Sequence, residues 1–418
     1  MKSLILTIAG AILTLPLASA GDWTEFRGPD GTGHYSGAPL PTHWGANTNV
    51  SWKTTIPGKG WSSPIFLRDK LYLTTAVPLG TGDKPDQSLR ALCVDAKTGK
   101  IDWDREIFVE PGAIAPKPHK KNSHASPTPV TDGERVYVHF GHMGTAALDL
   151  NGSIVWKTQK LTYDPRHGNG ASPILVDDTL FFTCDGNDKQ FVAALDKRTG
   201  EVRWTRDRNH GARLGFSFAT SQLITHQGKR VIVAPASDYV MGYDPKTGEE
   251  LWRVKYPQSG WSLITRPVYG HGLVFVCTGY VNQHLIAFKP DGQGDLTKNI
   301  VWQTRRNAAN TPTPLLVGDE LYMLADNGFL TCYDAKTGEI HWSERLAGKA
   351  YSASPIYADG NIYVTSEEGV GQIIAAGKEF REVAGPFDLK EKTFATFVPV
   401  DGALYVRTES QLYKFANP

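Results

Sequence analysis

The stretch TPLLVGDELYMLADNGFLTCYDAKTGEIHW, residues Thr313–Trp342, decides the fold because it predicts a complete unit of four short antiparallel strands. Pro314–Val317 is a short apolar strand, and Glu320–Leu324 alternates polar and apolar residues as a half-buried strand does. Asn327-Gly328 is a strong hairpin signal, because both central positions of a type I′ turn need positive φ. Phe329–Tyr333 follows as the third strand. Four such strands cannot bury both faces of their sheet alone, so the unit needs neighbours.

The turn into the fourth strand is Asp334-Ala-Lys-Thr-Gly-Glu339. Its aspartate can accept hydrogen bonds from backbone N–H groups just ahead, and its glycine takes the left-handed conformation that closes the hairpin. A calcium-binding loop is the alternative interpretation, but the turn lacks the alternating oxygen ligands that such loops require. We therefore predict a structural role for this aspartate.

The same Asp-x-x-Thr-Gly turn recurs, each time with a tryptophan eight residues after the aspartate. Four full copies begin at Asp95, Asp196, Asp244 and Asp334, and weaker copies surround Asp149 and Lys289. The tryptophans recur every 40 to 53 residues, at Trp52, Trp103, Trp156, Trp204, Trp252, Trp302 and Trp342. This period, with about four strands in each repeat, predicts a β-propeller. We expect Trp103 and the five later tryptophans each to pack against a neighbouring blade near its repeat turn.

The number of blades follows from the two ends of the chain. Six units end in a tryptophan, a seventh opens at Ser354-Pro355 with a degraded turn, and an eighth starts at Phe397 and stops one strand short. The segment Asn49–Thr54 supplies the missing strand, and pairing it with the last strand removes an exposed sheet edge. The prediction is an all-β, eight-bladed β-propeller of four-stranded antiparallel blades, closed by an N-terminal strand. Seven blades remain the alternative if the degraded unit is an insertion.

At this level the chain resembles a known family, the eight-bladed propellers built from pyrroloquinoline quinone (PQQ) type repeats. The family word Ala-x-Asp-x-x-Thr-Gly-x-x-x-Trp is matched from Ala194 to Trp204, and from Cys93, Gly242 and Cys332 with the first position changed. The resemblance covers residues 49–418. The family includes quinoprotein dehydrogenases and the non-enzymatic propeller subunit of the outer-membrane β-barrel assembly machinery. The resemblance therefore implies the scaffold and leaves the activity open.

Three segments precede or form the ring. Residues 1–20 combine Lys2, an apolar run from Leu4 to Leu15 and the small residues Ala18-Ser-Ala20, which predicts a cleaved signal peptide. Residues 21–48 form an N-terminal arm, and residues 49–418 form the PQQ-like propeller. Gly21 follows the predicted cleavage site in place of a lipid-attachment cysteine. We expect a periplasmic or secreted protein without a transmembrane segment.

The arm is rich in glycine and aromatic residues from Trp23 to Gly33. Its Gly-x-x-Gly spacing permits a phosphate-loop interpretation, but no predicted strand precedes it and no helix follows. We expect the arm to pack over the propeller through Trp23, Phe26 and Trp44. The four cysteines fall at repeat positions that do not pair them, so buried free thiols are predicted.

Charge argues against nucleic acid as a partner. The chain has 44 Lys and Arg against 43 Asp and Glu, and removal of Lys2 with the signal peptide leaves 43 of each. We identify no basic stretch or acidic tail. The expected partner is a protein, a peptide or a small molecule, and the expected state is a monomer.

Candidate binding residues lie in loops on one face of the ring. Strand alternation places the connections between blades, and the loops joining second to third strands, on the face opposite the Asp-x-x-Thr-Gly turns. Aromatic, basic and acidic side chains that converge at the mouth of a ring are typical of a ligand site. The candidates are Trp61, His124, His167, Asn169, Trp261, Arg266, Asp326, Tyr351 and Glu367.

No enzymatic motif singles out a catalytic residue, and whether the protein is an enzyme stays open. Zinc-binding His-x-x-x-His and Cys-x-x-Cys pairs, the Gly-x-Ser-x-Gly elbow and the Walker loop are all missing from the sequence. The resemblance to quinoprotein dehydrogenases implies PQQ under a disulfide of adjacent cysteines, with calcium held by Glu, Asn and Asp and an Asp base. Here no two cysteines are adjacent, and only isolated candidates such as Asp326 or Glu367 exist.

Two hypotheses follow. The first is an exported, non-catalytic binding scaffold that needs no cofactor or metal, since propeller rings present broad concave faces. The alternative is a PQQ- and calcium-dependent alcohol or sugar dehydrogenase of reduced size.

Overall fold

The computed structural model describes residues 21–115, 117–208 and 211–417. The predicted signal peptide lies outside the described residues. The described chain forms eight four-stranded antiparallel sheets, and these are the blades of a propeller ring. No helix among the described residues is long and apolar enough to cross a membrane.

Each blade runs from an inner strand at the ring axis to an outer strand at the rim. Blade 1 consists of Ile65–Leu67, Lys70–Leu79, Asp86–Asp95 and Ile101–Glu110, and blade 2 of Val130–Thr131, Arg135–His139, Thr145–Asp149 and Ile154–Thr158. Blade 3 consists of Ile174–Val176, Thr179–Asp185, Gln190–Asp196 and Val202–Asp207, and blade 4 of Gln222–His226, Lys229–Pro235, Tyr239–Tyr243 and Glu250–Lys255.

The other four blades follow the same plan, and blade 8 takes its outer strand from the start of the chain. Blade 5 consists of Val268–Gly270, Leu273–Cys277, Leu285–Phe288 and Ile300–Thr304, and blade 6 of Leu315–Val317, Glu320–Leu324, Phe329–Asp334 and Ile340–Arg345. Blade 7 consists of Ile356–Ala358, Asn361–Thr365, Val370–Ala375 and Glu382–Asp388, and blade 8 of Val398–Val400, Ala403–Arg407, Gln411–Ala416 and Val50–Thr55.

Short elements complete the chain. His34–Tyr35 of the arm pairs in parallel with the inner strand of blade 7, and Gly294–Asp295 pairs in parallel with the outer strand of blade 4. Two 3-10 turns cover Gly141–Met143 and Thr297–Asn299.

The hydrophobic core lies between the blades. In the described part of the chain eight apolar clusters form, and each takes its buried residues from two neighbouring blades. One cluster joins blade 8 to blade 1 through Leu412, Tyr405 and Leu71, so the two ends of the blade series share a core. Apolar burial in the ring therefore depends on contact between blades.

The strand near the amino end pairs with the last strand of the chain. Val50–Thr55 is antiparallel to Gln411–Ala416, with Lys53 opposite Tyr413. Arg407 in blade 8 adds a buried contact to blade 1, because its guanidinium donates to the carbonyl oxygens of Ser62 and Thr74 at 3.1 and 2.7 Å. Burial lowers the pKa of Arg407 to about 9. That the strand pairing holds the ring closed stays a prediction.

The repeat tryptophans reach from one blade to the turn of the next. The indole N–H of Trp156 donates to the carbonyl of Lys197 at 3.0 Å, and that of Trp302 donates to the carbonyl of Ala335 at 3.0 Å. Trp103 and Trp342 make equivalent bonds to blades 2 and 7. The turn glycines lie under these rings: a Cβ on Gly200, whose φ is +74°, would lie 2.4 Å from Trp156.

Two tryptophans follow the pattern with changed contacts. Trp204 lies over Gly248, so that a Cβ there would be 2.5 Å from its ring, and Arg206 lies over the indole. Trp252 is almost fully buried and meets Phe288 of blade 5 edge-on, with ring centres 5.6 Å apart. The turn aspartates are structural, as Asp334 shows: its Oδ1 accepts the backbone N–H groups of Lys336 and Thr337, both at 2.9 Å.

A circuit of hydrogen bonds surrounds the ring axis. Just ahead of seven of the eight inner strands, a backbone N–H donates to the side-chain hydroxyl at the same position in the next blade, over 2.9–3.1 Å. The bonds run from Ser63 to Thr128, Thr128 to Ser172, Ser172 to Thr220, Arg266 to Thr313, Thr313 to Ser354, Ser354 to Thr396, and Thr396 to Ser63. Blade 5 carries Arg266 at this position, and an arginine side chain has no acceptor for the preceding blade.

The N-terminal arm enters the ring on the face of the Asp-x-x-Thr-Gly turns. Trp23 bridges to Phe66 in blade 1, and Trp44 packs against Phe387 in blade 7 with ring centres 4.5 Å apart. Arg27 is buried and donates only to carbonyl oxygens among the described residues, including those of Pro314 and Pro355 at 3.2 and 3.0 Å. Burial, and then the nearby Arg266 guanidinium, lower the pKa of Arg27 to about 9.

Replacing Trp302 by Ala should lower the free energy of unfolding by about 3–5 kcal/mol, because it removes a buried aromatic ring and its hydrogen bond to blade 6. Val301 on the same strand is 48% exposed. The control Val301→Ala should change stability by less than about 0.5 kcal/mol. Denaturant titration followed by tryptophan fluorescence or circular dichroism measures both. Equal losses in the two variants would contradict a docking role for the indole.

Removing the strand that pairs with Gln411–Ala416 should expose a sheet edge and cause aggregation. Two shortened chains test this: one begins at Asn49 and keeps the strand, and the other begins at Ile56 and lacks it. Size-exclusion chromatography should show a monomer for the first and aggregates for the second. A monomeric, equally stable chain beginning at Ile56 would refute closure by this strand.

Candidate functional site

The loop face carries a long connection between blades 1 and 2, residues 111–129. The backbone N–H of His119 and the side-chain amide of Asn122 both donate to the carbonyl of His167, at 3.0 and 2.9 Å. Lys121 reaches in the other direction, and its Nζ lies 2.6 Å from Oε1 of Glu367 in blade 7. Asp326 in blade 6 lies 4.0 Å from the same ammonium. The connection therefore crosses the mouth of the ring.

A buried carboxylate lies under this connection. Glu110 ends the outer strand of blade 1, its side chain is 2% exposed, and its Oε2 lies 2.7 Å from Nδ1 of His124. Nε2 of His142 lies 3.0 Å from Oε1. Asn169 in turn lies 3.1 Å from Nδ1 of His142, and its oxygen accepts the hydroxyl of Tyr163 at 3.0 Å. The five side chains join the loops of blades 1, 2 and 3.

The electrostatics of this network favour an ionised Glu110. Burial alone would raise the pKa of Glu110, but the hydrogen bonds and charges of His124 and His142 lower it to about 2. His139, near His142, has its pKa lowered to about 3, chiefly by burial. The network is thus a carboxylate held between two imidazoles, and its polar groups are paired with one another.

The acidic residues of blades 6 and 7 are also engaged. Oδ2 of Asp326 accepts the backbone N–H groups of Asn310 and Thr311 at 2.7 and 3.2 Å, and Oδ1 accepts the Thr311 hydroxyl at 2.6 Å. Oε1 of Glu367 accepts the hydroxyl of Ser352 at 2.6 Å as well as the Lys121 ammonium. Both carboxylates therefore tie loops together.

Cations lie over aromatic rings on the other side of the mouth. The Arg166 guanidinium lies 5.4 Å from the ring centre of Phe216, and that of Arg213 lies 5.7 Å from the ring centre of Trp261. Trp261 bridges to Tyr280, which is 55% exposed. His167 meets Phe216 edge-on at 5.6 Å.

Three sequence-predicted site residues differ from expectation. Arg266 is 2% exposed and points to the arm, where its guanidinium donates to the carbonyl of Phe26 and to Glu25 at 2.6 and 2.9 Å. Tyr351 is fully buried, and its hydroxyl accepts the backbone N–H of Gly348. Trp61 is buried against Phe394 with ring centres 4.5 Å apart. None of the three presents its side chain at the mouth of the ring.

A cavity lies on the opposite face, under the arm. It has a volume of about 450 Å³ and lies between the arm and the inner strands of blades 3 to 6. Asp30, His34, Gln222, Arg266 and Tyr269 contribute polar atoms to its wall. The arm lines the cavity together with the blades, and Arg266 in its wall is paired with Glu25.

Comparison with known proteins agrees with this architecture. The sequence model of the family described as outer membrane protein assembly factor BamB matches residues 37–181, 86–206, 188–323 and 294–379. The chain belongs to this family. The solved structure of BamB from Moraxella catarrhalis is similar over 88% of this chain and 98% of its own, with 13% identity and a TM-score of 0.58. That similarity supports the fold.

Three curated proteins share partial sequence similarity with the chain. Tetrathionate hydrolase of Acidithiobacillus ferrooxidans is 20% identical over 70% of this chain and 54% of its own. Methanol dehydrogenase [cytochrome c] subunit 1 of Methylorubrum extorquens is 29% identical over 32% of this chain and 23% of its own. BamB of Shewanella oneidensis is 26% identical over 39% of this chain and 40% of its own. The chain covers less than two thirds of the length of each.

The side chains at the mouth do not fit PQQ and calcium. A calcium site needs several free oxygen ligands, whereas Asp326 is saturated by N–H and O–H donors and Glu367 is paired with Lys121. The four cysteines are buried, free and far apart in sequence, so none supplies a disulfide of adjacent residues. Within the described ranges no cluster of three or more His, Cys, Asp or Glu is arranged to hold a metal.

Sequence reasoning missed Glu110, His119 and Lys121. Glu110 ends a blade strand directly before the longest connection between blades, so no loop pattern singles it out. Lys121 belongs to the run Lys117-Pro-His-Lys-Lys121, whose density of cations was the available signal. Their partners lie in other blades, so spacing along the chain could not identify them.

Replacing Glu110 by Gln should lower the free energy of unfolding at neutral pH by on the order of 2–3 kcal/mol, because it removes an ionised carboxylate whose pKa is depressed from 4.5 to about 2. A depressed pKa contributes stability above the unfolded pKa. The difference between wild type and variant should therefore shrink as the pH falls from about 4.5 to about 2.

Denaturant titration across this pH range measures the effect, with Glu201→Gln, an exposed turn residue, as the control. A constant difference at all pH values would contradict the assigned ionisation.

Proposed function

We propose that the protein is an exported propeller that binds a protein or peptide partner through its loop face and does no chemistry there. One observation carries the proposal. The acidic side chains at the mouth are occupied in holding loops together, whereas Arg166, Arg213 and Tyr280 stay exposed. Aromatic and arginine side chains are the types enriched at protein interfaces.

The family supports a scaffold role. BamB is named as an outer membrane protein assembly factor, and the chain shares its repeat architecture across most of the ring. We propose an address in the periplasm or outside the cell, from the signal-like residues 1–20, and a monomer as the working state. The proposed ligand class includes small molecules, but a peptide fits the broad loop face best.

The second candidate is a PQQ- and calcium-dependent alcohol or sugar dehydrogenase. Its support is the 158-residue match to methanol dehydrogenase subunit 1. The occupied carboxylates of Asp326 and Glu367 argue against it. A dye-linked dehydrogenase assay with added PQQ and calcium, over a panel of alcohols and sugars, should show no turnover above the same protein with chelator. Calcium- and PQQ-dependent turnover that is lost in Asp326→Asn would replace the binding proposal with an enzymatic one.

The binding face is tested by photocrosslinking in the source cell. A photoreactive phenylalanine at Tyr280 on the loop face should give covalent adducts with discrete partners, identified by mass spectrometry. The matched probe at Lys246, an exposed residue of a repeat turn on the opposite face, should give none above background. Adducts confined to Lys246 would place binding on the wrong face.

A further inference from the structure

We propose that the loop surface of blades 1 to 5 binds acidic peptide segments. This rests on the proposed function and names the partner that the surface fits. We call the basic part of this surface the band. It comprises Lys117, His119 and Lys120 from the connection of blades 1 and 2, Arg166 and His167 from that of blades 2 and 3, and Arg213 from that of blades 3 and 4. Phe216, Trp261 and Tyr280 are its aromatic residues.

Side-chain and backbone contacts make this surface continuous. The rings of His119 and His167 lie 5.7 Å apart, and His167 meets Phe216, over which Arg166 lies. The carbonyl of Phe216 accepts the backbone N–H of Ser262 at 3.0 Å, which joins it to the Trp261 loop. Arg213 lies over Trp261, and Tyr280 pairs with the Trp261 backbone. The side chains therefore form one band across five blades.

The cations of the band are uncompensated. Lys117, Lys120, Arg166 and Arg213 are exposed, and within the described part of the chain none of them forms an ion pair. Lys121 differs, because Glu367 neutralises it. Four exposed cations without an acidic partner give this band a local positive charge.

The histidines report the same positive field. Burial, then Lys120 and Lys121, lower the pKa of His119; burial, then Arg166 and His119, lower that of His167. Asp164 is the acidic residue on the His167 connection, and it is engaged by the side-chain amide of Asn187. A bound carboxylate would favour the protonated imidazoles, so binding of an acidic peptide should strengthen as the pH falls from about 7.5 to about 5.5.

The other half of the mouth has three carboxylates against the ammonium of Lys121, and this excess of acidic groups favours a peptide over a uniform polyanion. Asp326, Glu367 and Glu368 lie in blades 6 and 7, and one carboxylate oxygen of Glu368 is buried without a hydrogen-bond partner. A nucleic acid or sulfated polymer would be repelled there, whereas a peptide with an acidic stretch can avoid it. Exposed Tyr280 and Val281, 55% and 47% accessible, offer apolar contacts that a peptide side chain can cover.

The test uses the full mature chain and a short fluorescein-labelled peptide in which Asp alternates with Leu and Phe. Fluorescence anisotropy should show binding that weakens with added salt and strengthens towards pH 5.5. The same peptide with Asn in place of Asp should bind about tenfold more weakly or worse. Dextran sulfate serves as the uniform polyanion.

Charge reversal locates the site. The double variant Arg166→Glu and Arg213→Glu should weaken binding of the Asp peptide by about tenfold or more, while the same positions changed to Lys should keep most of it. The control pair Arg198→Glu and Lys246→Glu, on the opposite face, should leave affinity unchanged. Thermal unfolding of all variants separates loss of binding from loss of fold.

Each outcome decides. Loss confined to the loop-face reversal supports the inference. Equal affinity for the Asp and Asn peptides, with binding still lost on Tyr280→Ala, would overturn the acidic-peptide assignment and leave the proposed binding function standing. Dextran sulfate that binds as tightly as the peptide and is insensitive to Tyr280→Ala would overturn it in favour of unspecific anion binding. Failure of every peptide together with PQQ-dependent turnover would overturn the proposed function itself.

Discussion

The ring depends on the hydrogen-bond circuit at its axis. Each inner strand begins where the chain is most crowded, and a buried backbone N–H there must find an acceptor. At seven of the eight blade junctions a serine or threonine of the next blade provides it and fixes the two blades at the smallest radius; the junction of blades 4 and 5 is the exception, because Arg266 takes the acceptor position. The tryptophan contacts fix the same pair at the rim, since Trp156 bonds the carbonyl of Lys197. Two contacts at different radii leave little freedom for one blade to rotate against another.

The repeat of the blades could be predicted from the sequence, whereas the hydrogen bonds at the ring axis could not. The spacing of aspartate, glycine and tryptophan is local, so it predicts blades, strand order and the partner of Gln411–Ala416. The circuit has a weak sequence signal, a hydroxyl residue before the inner strand, as in Ser172-Pro173, which is common in any chain. The course of the arm depends on Arg27 and Arg266 meeting groups more than two hundred residues away, and no local pattern encodes such pairs.

The candidate site was predicted by face and only partly by residue. Strand alternation predicts that His124, His167, Asn169, Trp261, Asp326 and Glu367 lie in loops of one face; that they bind a ligand stays a prediction. It does not say where a long side chain turns: Arg266 begins at the axis and extends to the arm, where its guanidinium finds the Glu25 carboxylate and the Phe26 carbonyl as acceptors. Nor does it say which loop residues are covered: Tyr351 is buried under its own turn, where its hydroxyl accepts the backbone N–H of Gly348. Lys121 was missed because its partner Glu367 lies across the mouth.

Eight identical blades would be equivalent by symmetry, and the arm could then pack against any of them. Arg266 removes that degeneracy, since it takes the one place where a hydroxyl would complete the circle and recruits the arm through Glu25 and Phe26. The arm is therefore held against one defined part of the ring, and each blade has a fixed position relative to the arm. The loops differ from blade to blade, and their order around the ring is fixed. A partner that docks on the loop face therefore contacts them in one orientation.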